Sequence, residues 1–270
     1  MTRLLAFLCL MLGSCTEAPK VLRVCADPNN LPFSNQAGQG FENRIAELVA
    51  AELGRDVEWV WWAQRRGNVR ETLNAGLCDL IPGVGAGLET LATTSPYYAS
   101  AYVAVTRADR ALDIASFDDP RLAGLKIGVQ MIGDDFANTP PAHALSRRGL
   151  IDNVRGYMIY GDYSNAAPQA DILSAVSSGA VDVAFVWGPV VGYFARRAPA
   201  ELRIRPLASE DRISEMPMAF GVAMGVRRRD EALKSEVERA LAERRSAIRQ
   251  ILADYGVPLV EAPPPVEDDD

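Results

Sequence analysis

This 270-residue chain has a single histidine, His143, and only four cysteines. A lone imidazole with no ligand cluster around it makes no zinc motif, and no Cys-x-x-C pair supplies a dithiol redox centre. A calcium loop and a Ser/His/Asp arrangement are also lacking, so no catalytic residue, metal site or cofactor is expected. Cations are in the minority: 28 basic residues face 35 acidic ones, a net charge of −7. Such a chain is repelled by a phosphate backbone unless its basic residues gather in one patch, which argues against nucleic acid as a partner. The apolar run Leu4–Leu12 is too short to cross a hydrocarbon core about 30 Å thick as a helix.

What is present is an ordinary globular composition. Apolar residues make up 49% and charged residues 23%, close to soluble averages. The length allows one large domain or two of usual size. Residues 1–20 read as an export signal and leader: Arg3, the apolar run, then small residues. Leu12-Gly13-Ser14-Cys15 resembles the bacterial lipoprotein box, with Cys15 as the lipidated residue and cleavage near Ala18 as the alternative. Thr16 after that cysteine resembles lipoproteins passed to the outer membrane, so the expected location is the periplasm, with or without a lipid anchor. Two cysteines, Cys25 and Cys78, then remain in a compartment where disulfides persist. Either a bridge between them or two buried thiols fits their placement beside neighbouring strands.

Val21–Ala26 reads as a buried strand followed by the turn-rich Asp27–Asn35. Apolar residues at 41, 45, 48, 49 and 53 mark a helix that Gly54 stops. Strand 57–61, helix 69–75 and strand 79–82 continue an alternation that implies a parallel sheet with helices on its faces. A strand over 101–106 leads to a second such unit: strand 126–130, a helix over 135–147 broken by Pro140 and Pro141, strand 154–159, helix 168–177, strand 181–186 and strand 202–206. The apolar run 219–226 opens into one charged amphipathic helix from Asp230 to about Asp254. The acidic end, 258–270, has too little apolar mass to order itself.

The segments Leu22–Asp27, Pro32-Phe33, Gly40-Phe41-Glu42, Ala51–Gly54 and Gly225–Arg227 closely resemble periplasmic solute-binding proteins of the type 2 class. More narrowly, Gln64-Arg65-Arg66-Gly67, Leu73–Asp79 and Val186–Pro189 resemble the branch associated with quinoprotein alcohol dehydrogenases, which includes the accessory J proteins of methanol oxidation systems. The resemblance implies an α/β, two-lobed fold with two β-sheets flanked by helices and two crossover hinge strands, near Thr106 and Ala219. Lobe 1 is expected over 21–104 completed by 220–257, and lobe 2 over 105–219. It implies a PQQ-dependent alcohol or methanol dehydrogenase as partner. A receptor for a small solute, feeding a transporter, is the competing reading. Amino-acid-binding members place an arginine before the Ser-x-Pro-Tyr region and an aspartate late in lobe 2. Here 85–94 holds no arginine and Trp187 occupies the late position, so the charge-assisted grip on a zwitterion is missing.

Expected cleft residues follow from strand ends, where open α/β sheets place ligands. Asn29, Asn30 and Phe33 follow the first strand, although turn stabilisation or core cover explains them equally well. Trp61 and Trp62 fall on opposite faces, leaving Trp62 available. Arg65 and Arg66 suit an anion beside a helix start, or form a plain surface pair. Gly85 belongs to a Gly-x-Gly-x-Gly run that permits close approach rather than nucleotide binding. Tyr97 and Tyr102 supply aromatic surface, with Tyr97 the leading candidate through its match to the family's Pro-Tyr. Asp134 and Asp162 precede lobe 2 helices, and Trp187 offers a flat face to a partner group.

Overall fold

The computed structural model describes residues 20–132, 138–159, 163–208 and 210–261. Leaving aside two-residue bridges, the strands are β1 (Lys20–Ala26), β2 (Arg55–Trp61), β3 (Ile81–Gly85), β4 (Tyr98–Arg107), β5 (Ile127–Met131), β6 (Val154–Met158), β7 (Val183–Trp187), β8 (Leu202–Pro206) and β9 (Ala219–Val226). The α-helices are α1 (Phe41–Glu52), α2 (Asn68–Glu71), α3 (Pro140–Arg147), α4 (Asp171–Ser178), α5 (Gly188–Phe194), α6 (Glu231–Glu243) and α7 (Arg245–Asp254). None of the described helices is long and apolar enough to cross a membrane.

Two mixed sheets meet along β4. Its first residues, Tyr98–Ala101, pair antiparallel with β9, which also pairs with β3. From Tyr102 onward it pairs with β7 on one side, and from Val103 with β8 on the other. The change of partner thus falls between Ala101 and Tyr102, whereas Thr106 lies inside the second sheet opposite Val183. That sheet continues through parallel β5 and β6. In the first, β1 and β2 run parallel from Lys20↔Arg55 to Ala26↔Trp61, and Val24 bridges to Leu80.

The cores explain the sequence patterns. On α1 the spacing of Phe41, Ile45 and Val49 lays one face on β1 and β9, where all three are buried with Leu22, Val24 and Met224. Strand β7 is apolar throughout because both its faces are covered. Ala184 and Val186 pack with Ile172, Leu173 and Val176 of α4. Val183 and Phe185 pack on the opposite side with Ile127, Val129 and Leu145.

Several boundaries differ from the sequence reading. Asp79 is not a strand residue. Its carboxylate accepts from Arg23 Nη2 at 2.6 Å and Arg227 Nη2 at 3.0 Å, and β3 starts two residues later. The second helix ends at Glu71, because the chain must turn at Gly76 to bring Cys78 beneath β1. Pro140 and Pro141 start α3 rather than break it, since a first-turn proline lacks only an N–H that has no helical acceptor. The C-terminal helix is two helices parted at Arg244, whose guanidinium reaches Glu52 at 2.5 Å. Cys25 and Cys78 form a disulfide with Cα atoms 5.6 Å apart.

Candidate functional site: the cleft between the lobes

The carboxyl ends of β1, β3, β5 and β7 converge on a cavity of about 470 Å³. Of the residues named from the sequence, Asn30, Phe33, Arg65, Arg66, Gly85, Tyr102 and Trp187 line it. Asn29 stands beside it. Tyr97 and Trp62 do not line it. Tyr97 precedes β4 and faces a second cavity with Leu241 and Ile248, its ring 5.1 Å from that of Tyr98. Alternation along β4 puts Tyr98 and Tyr102 on one face, so Tyr98 takes the place expected of Tyr97. Trp62 lies just past β2 and is 43% exposed, while Trp59 and Trp61 stack at 5.2 Å. Cys15, Asp134 and Asp162 lie outside the described residues.

Side chains of the chain itself bridge the cleft. Asp27, at the end of β1 and 2% exposed, accepts from the backbone N–H of Asn29 and Gln64 at 2.8 and 2.9 Å. It also accepts from the Tyr163 hydroxyl across the cleft at 3.0 Å. Burial, then the Asp27 charge, pushes that phenol well above its ordinary range. Arg65 lies 5.6 Å over the Tyr163 ring. Asn29 Nδ2 donates to the Asn165 carbonyl at 2.7 Å. A second chain of bonds starts at Trp187, whose N–H donates to Gln130 Oε1 at 2.8 Å. Gln130 Nε2 donates to Gln169 Oε1 at 3.0 Å, and Gln169 Nε2 donates to Asn30 Oδ1 at 3.0 Å. Buried amides fully used in this way fix the lobes in register. The side chains of Asn29 and Asn30 thus bond outside their own turn, to Asn165 and Gln169 of the other lobe and to Gln64.

The apolar wall is aromatic. Tyr102 and Trp187 meet edge to face at 5.1 Å, and Phe220 lies 6.0 Å from Trp187 and 6.5 Å from Tyr102. Gln64, Gln130, Gln169, Phe220 and Glu42 also line the cavity and were not named as cleft residues from the sequence, although Gln64 and Glu42 stand in segments that carry the family resemblance. The glutamines carry no periodic signal. Glu42 sits in a segment that also reads as the start of α1.

Glu42 is 3% exposed, and no cation pairs with it among the described residues. Burial pushes its carboxyl up to about 8. Gly83 packs directly on that carboxyl: its φ is +71°, and a Cβ there would lie 2.0 Å from Oε1. Only glycine fits both the conformation and the space. An acid whose folded value lies above its unfolded 4.5 is protonated preferentially in the native state. Its stabilising share is therefore present at low pH and fades as pH rises from about 4.5 toward 8. Glu42→Gln is expected to remove roughly 3 kcal/mol of stability loss between pH 4.5 and 7, read as a growing advantage over wild type in urea unfolding. Parallel pH profiles for the two proteins would contradict this.

Among the described residues, no group of three His, Cys, Asp or Glu side chains could hold a metal ion. Residues 22–257 match the family of bacterial extracellular solute-binding proteins, family 3. The chain is 36% identical over 251 residues to Protein MoxJ of Methylorubrum extorquens, covering 88% of this chain and 81% of that one. The crystal structure of periplasmic binding protein XoxJ from Methylobacterium extorquens AM1 superposes with a TM-score of 0.72 at 35% identity, over 89% of this chain and 99% of that one. That of MxaJ from Methlophaga aminisulfidivorans MPT superposes with a TM-score of 0.75 at 26% identity, over 88% and 100%. With its two mixed sheets and the cleft between them, the chain belongs to the family 3 solute-binding proteins, is closely related to MoxJ and XoxJ, and by that membership is periplasmic.

Proposed function

We propose that the chain is a non-catalytic periplasmic accessory of a PQQ-dependent alcohol or methanol dehydrogenase, binding the enzyme and aiding its maturation or activation. The observation that carries this reading is the likeness to MoxJ and XoxJ along almost the whole chain. The cleft supports it. Trp187 and an arginine-free 85–94 segment stand where amino-acid receptors grip a zwitterion. The lobes are joined by their own side chains. Anchoring of the mature chain through lipidated Cys15 belongs to the same proposal, as does a lobe 1 completed by the C-terminal 220–257.

The cavity of about 470 Å³ favours a second reading, a transporter receptor for a small solute other than an amino acid. Affinity isolation of the mature protein from the periplasm of methanol-grown cells separates the two. The expected result is a co-isolated quinoprotein dehydrogenase. Recovery of none, together with lobe closure on a defined solute, would favour the receptor.

A further inference from the structure

Glu42 is the unusual group in this cleft. It is an acid buried to 3% exposure, it lines the cavity, and it has no ion-pair partner among the described residues. The fold maintains this arrangement through a left-handed Gly83, where a Cβ would strike the carboxyl. A buried carboxyl is costly to ionise unless a cation meets it. Beyond it stand the rings of Tyr102, Trp187 and Phe220, within 6.5 Å of one another. Aromatic faces attract organic cations and also accept an alkyl stem.

We infer that the cavity takes a small organic ammonium, with Glu42 as its counter-charge and the Tyr102–Trp187–Phe220 cluster as its apolar wall. Arg65 and Arg66 line the same cavity, and Arg65 is engaged over Tyr163. Their guanidiniums repel an ammonium, which leaves the Glu42 carboxyl as the one charged group among the described lining residues that attracts it. The inference goes beyond the dehydrogenase role and does not depend on it, because binding is measured on this protein alone.

The other groups that bear on Glu42 are the phenols of Tyr97 and Tyr98. Burial and the Glu42 charge raise both well above their ordinary range, so they stay neutral. Glu42 is then the group that titrates near neutrality, and an ammonium that binds its carboxylate must displace a proton.

The probe is n-butylammonium, compared with n-butanol and butyrate by calorimetry on the mature protein. The ammonium is expected to bind at least tenfold tighter than either control, to release close to one proton per site near pH 7, and to strengthen by roughly tenfold per pH unit below about 8. Glu42→Gln should weaken it more than tenfold and flatten the pH dependence. The amide matches the neutral acid in shape, so the variant should fold, and the wild-type pH profile gives a test independent of any variant. Butanol binding as well as the ammonium, preference for butyrate, a pH-independent affinity, or no heat at about 10 mM probe would each overturn the inference.

Discussion

Reducing the Cys25–Cys78 bridge is expected to lower the unfolding free energy by about 4 kcal/mol. The bridge closes a sequence separation of 53 residues. In the chain-entropy account a loop of that size restricts the unfolded chain by about 4 kcal/mol at 25 °C. Both cysteines are buried, with Leu73, Ile81 and Leu91 packed around them, so the native side has no slack to recover the loss. The effect extends to the cleft, because Cys25 lies two residues before Asp27, which holds Tyr163 of the opposite lobe. Urea unfolding of wild type and of the double variant Cys25→Ala, Cys78→Ala measures it. A difference below about 1 kcal/mol would show that the bridge is dispensable.

The second large effect concerns Arg148, at the end of α3. Its guanidinium donates to both oxygens of Asp211 at 2.7 and 3.0 Å and to Asp118 at 2.9 Å, with side chains of Arg148 and Asp211 only 9% and 7% exposed. Ser214 adds its N–H and hydroxyl to Asp211 at 2.8 and 2.6 Å. Arg148→Met keeps the aliphatic stem but leaves Asp211 buried without its cation, and should cost about 3–5 kcal/mol. Acid acts on the same pair. Burial alone would raise Asp211, but the hydrogen bonds from Arg148 and Ser214 outweigh it and hold the carboxyl at about 2. The folded value lies below the unfolded 3.8, so this stability is full above about 4 and is lost as pH falls toward 2. It amounts to about 2 kcal/mol, and the acid limb of the stability curve should shrink by that amount in Arg148→Met. Equal acid sensitivity in both proteins would contradict the assignment.

Strands and helices with one covered face were legible in the sequence, because burial writes itself into period. α1 is the clear case, while β7, covered on both faces, shows instead as an unbroken apolar run. Boundaries were less so where a polar contact or a turn decides them. The ion pairs of Asp79 delay β3, and the turn at Gly76 that serves the disulfide shortens α2. Likewise, the register of β4 faces Tyr98 rather than Tyr97 into the cleft. Asn30, Phe33 and Trp187, which follow strand ends or match the family, and Tyr102, named for its aromatic surface, do line the cavity. Gln130 and Gln169 were invisible. They meet each other across 39 residues of chain within lobe 2, and Gln169 alone passes the chain of bonds on to Asn30 of lobe 1.

The central claim, that this scaffold serves a protein partner, is tested most directly by titrating purified PQQ-dependent methanol dehydrogenase, in apo and cofactor-loaded forms, into the mature protein. The account predicts a complex with Kd of about 1 μM or tighter and higher dehydrogenase activity when the apo form is reconstituted with the protein present. No complex at about 100 μM of each protein, with unchanged reconstitution, would contradict it.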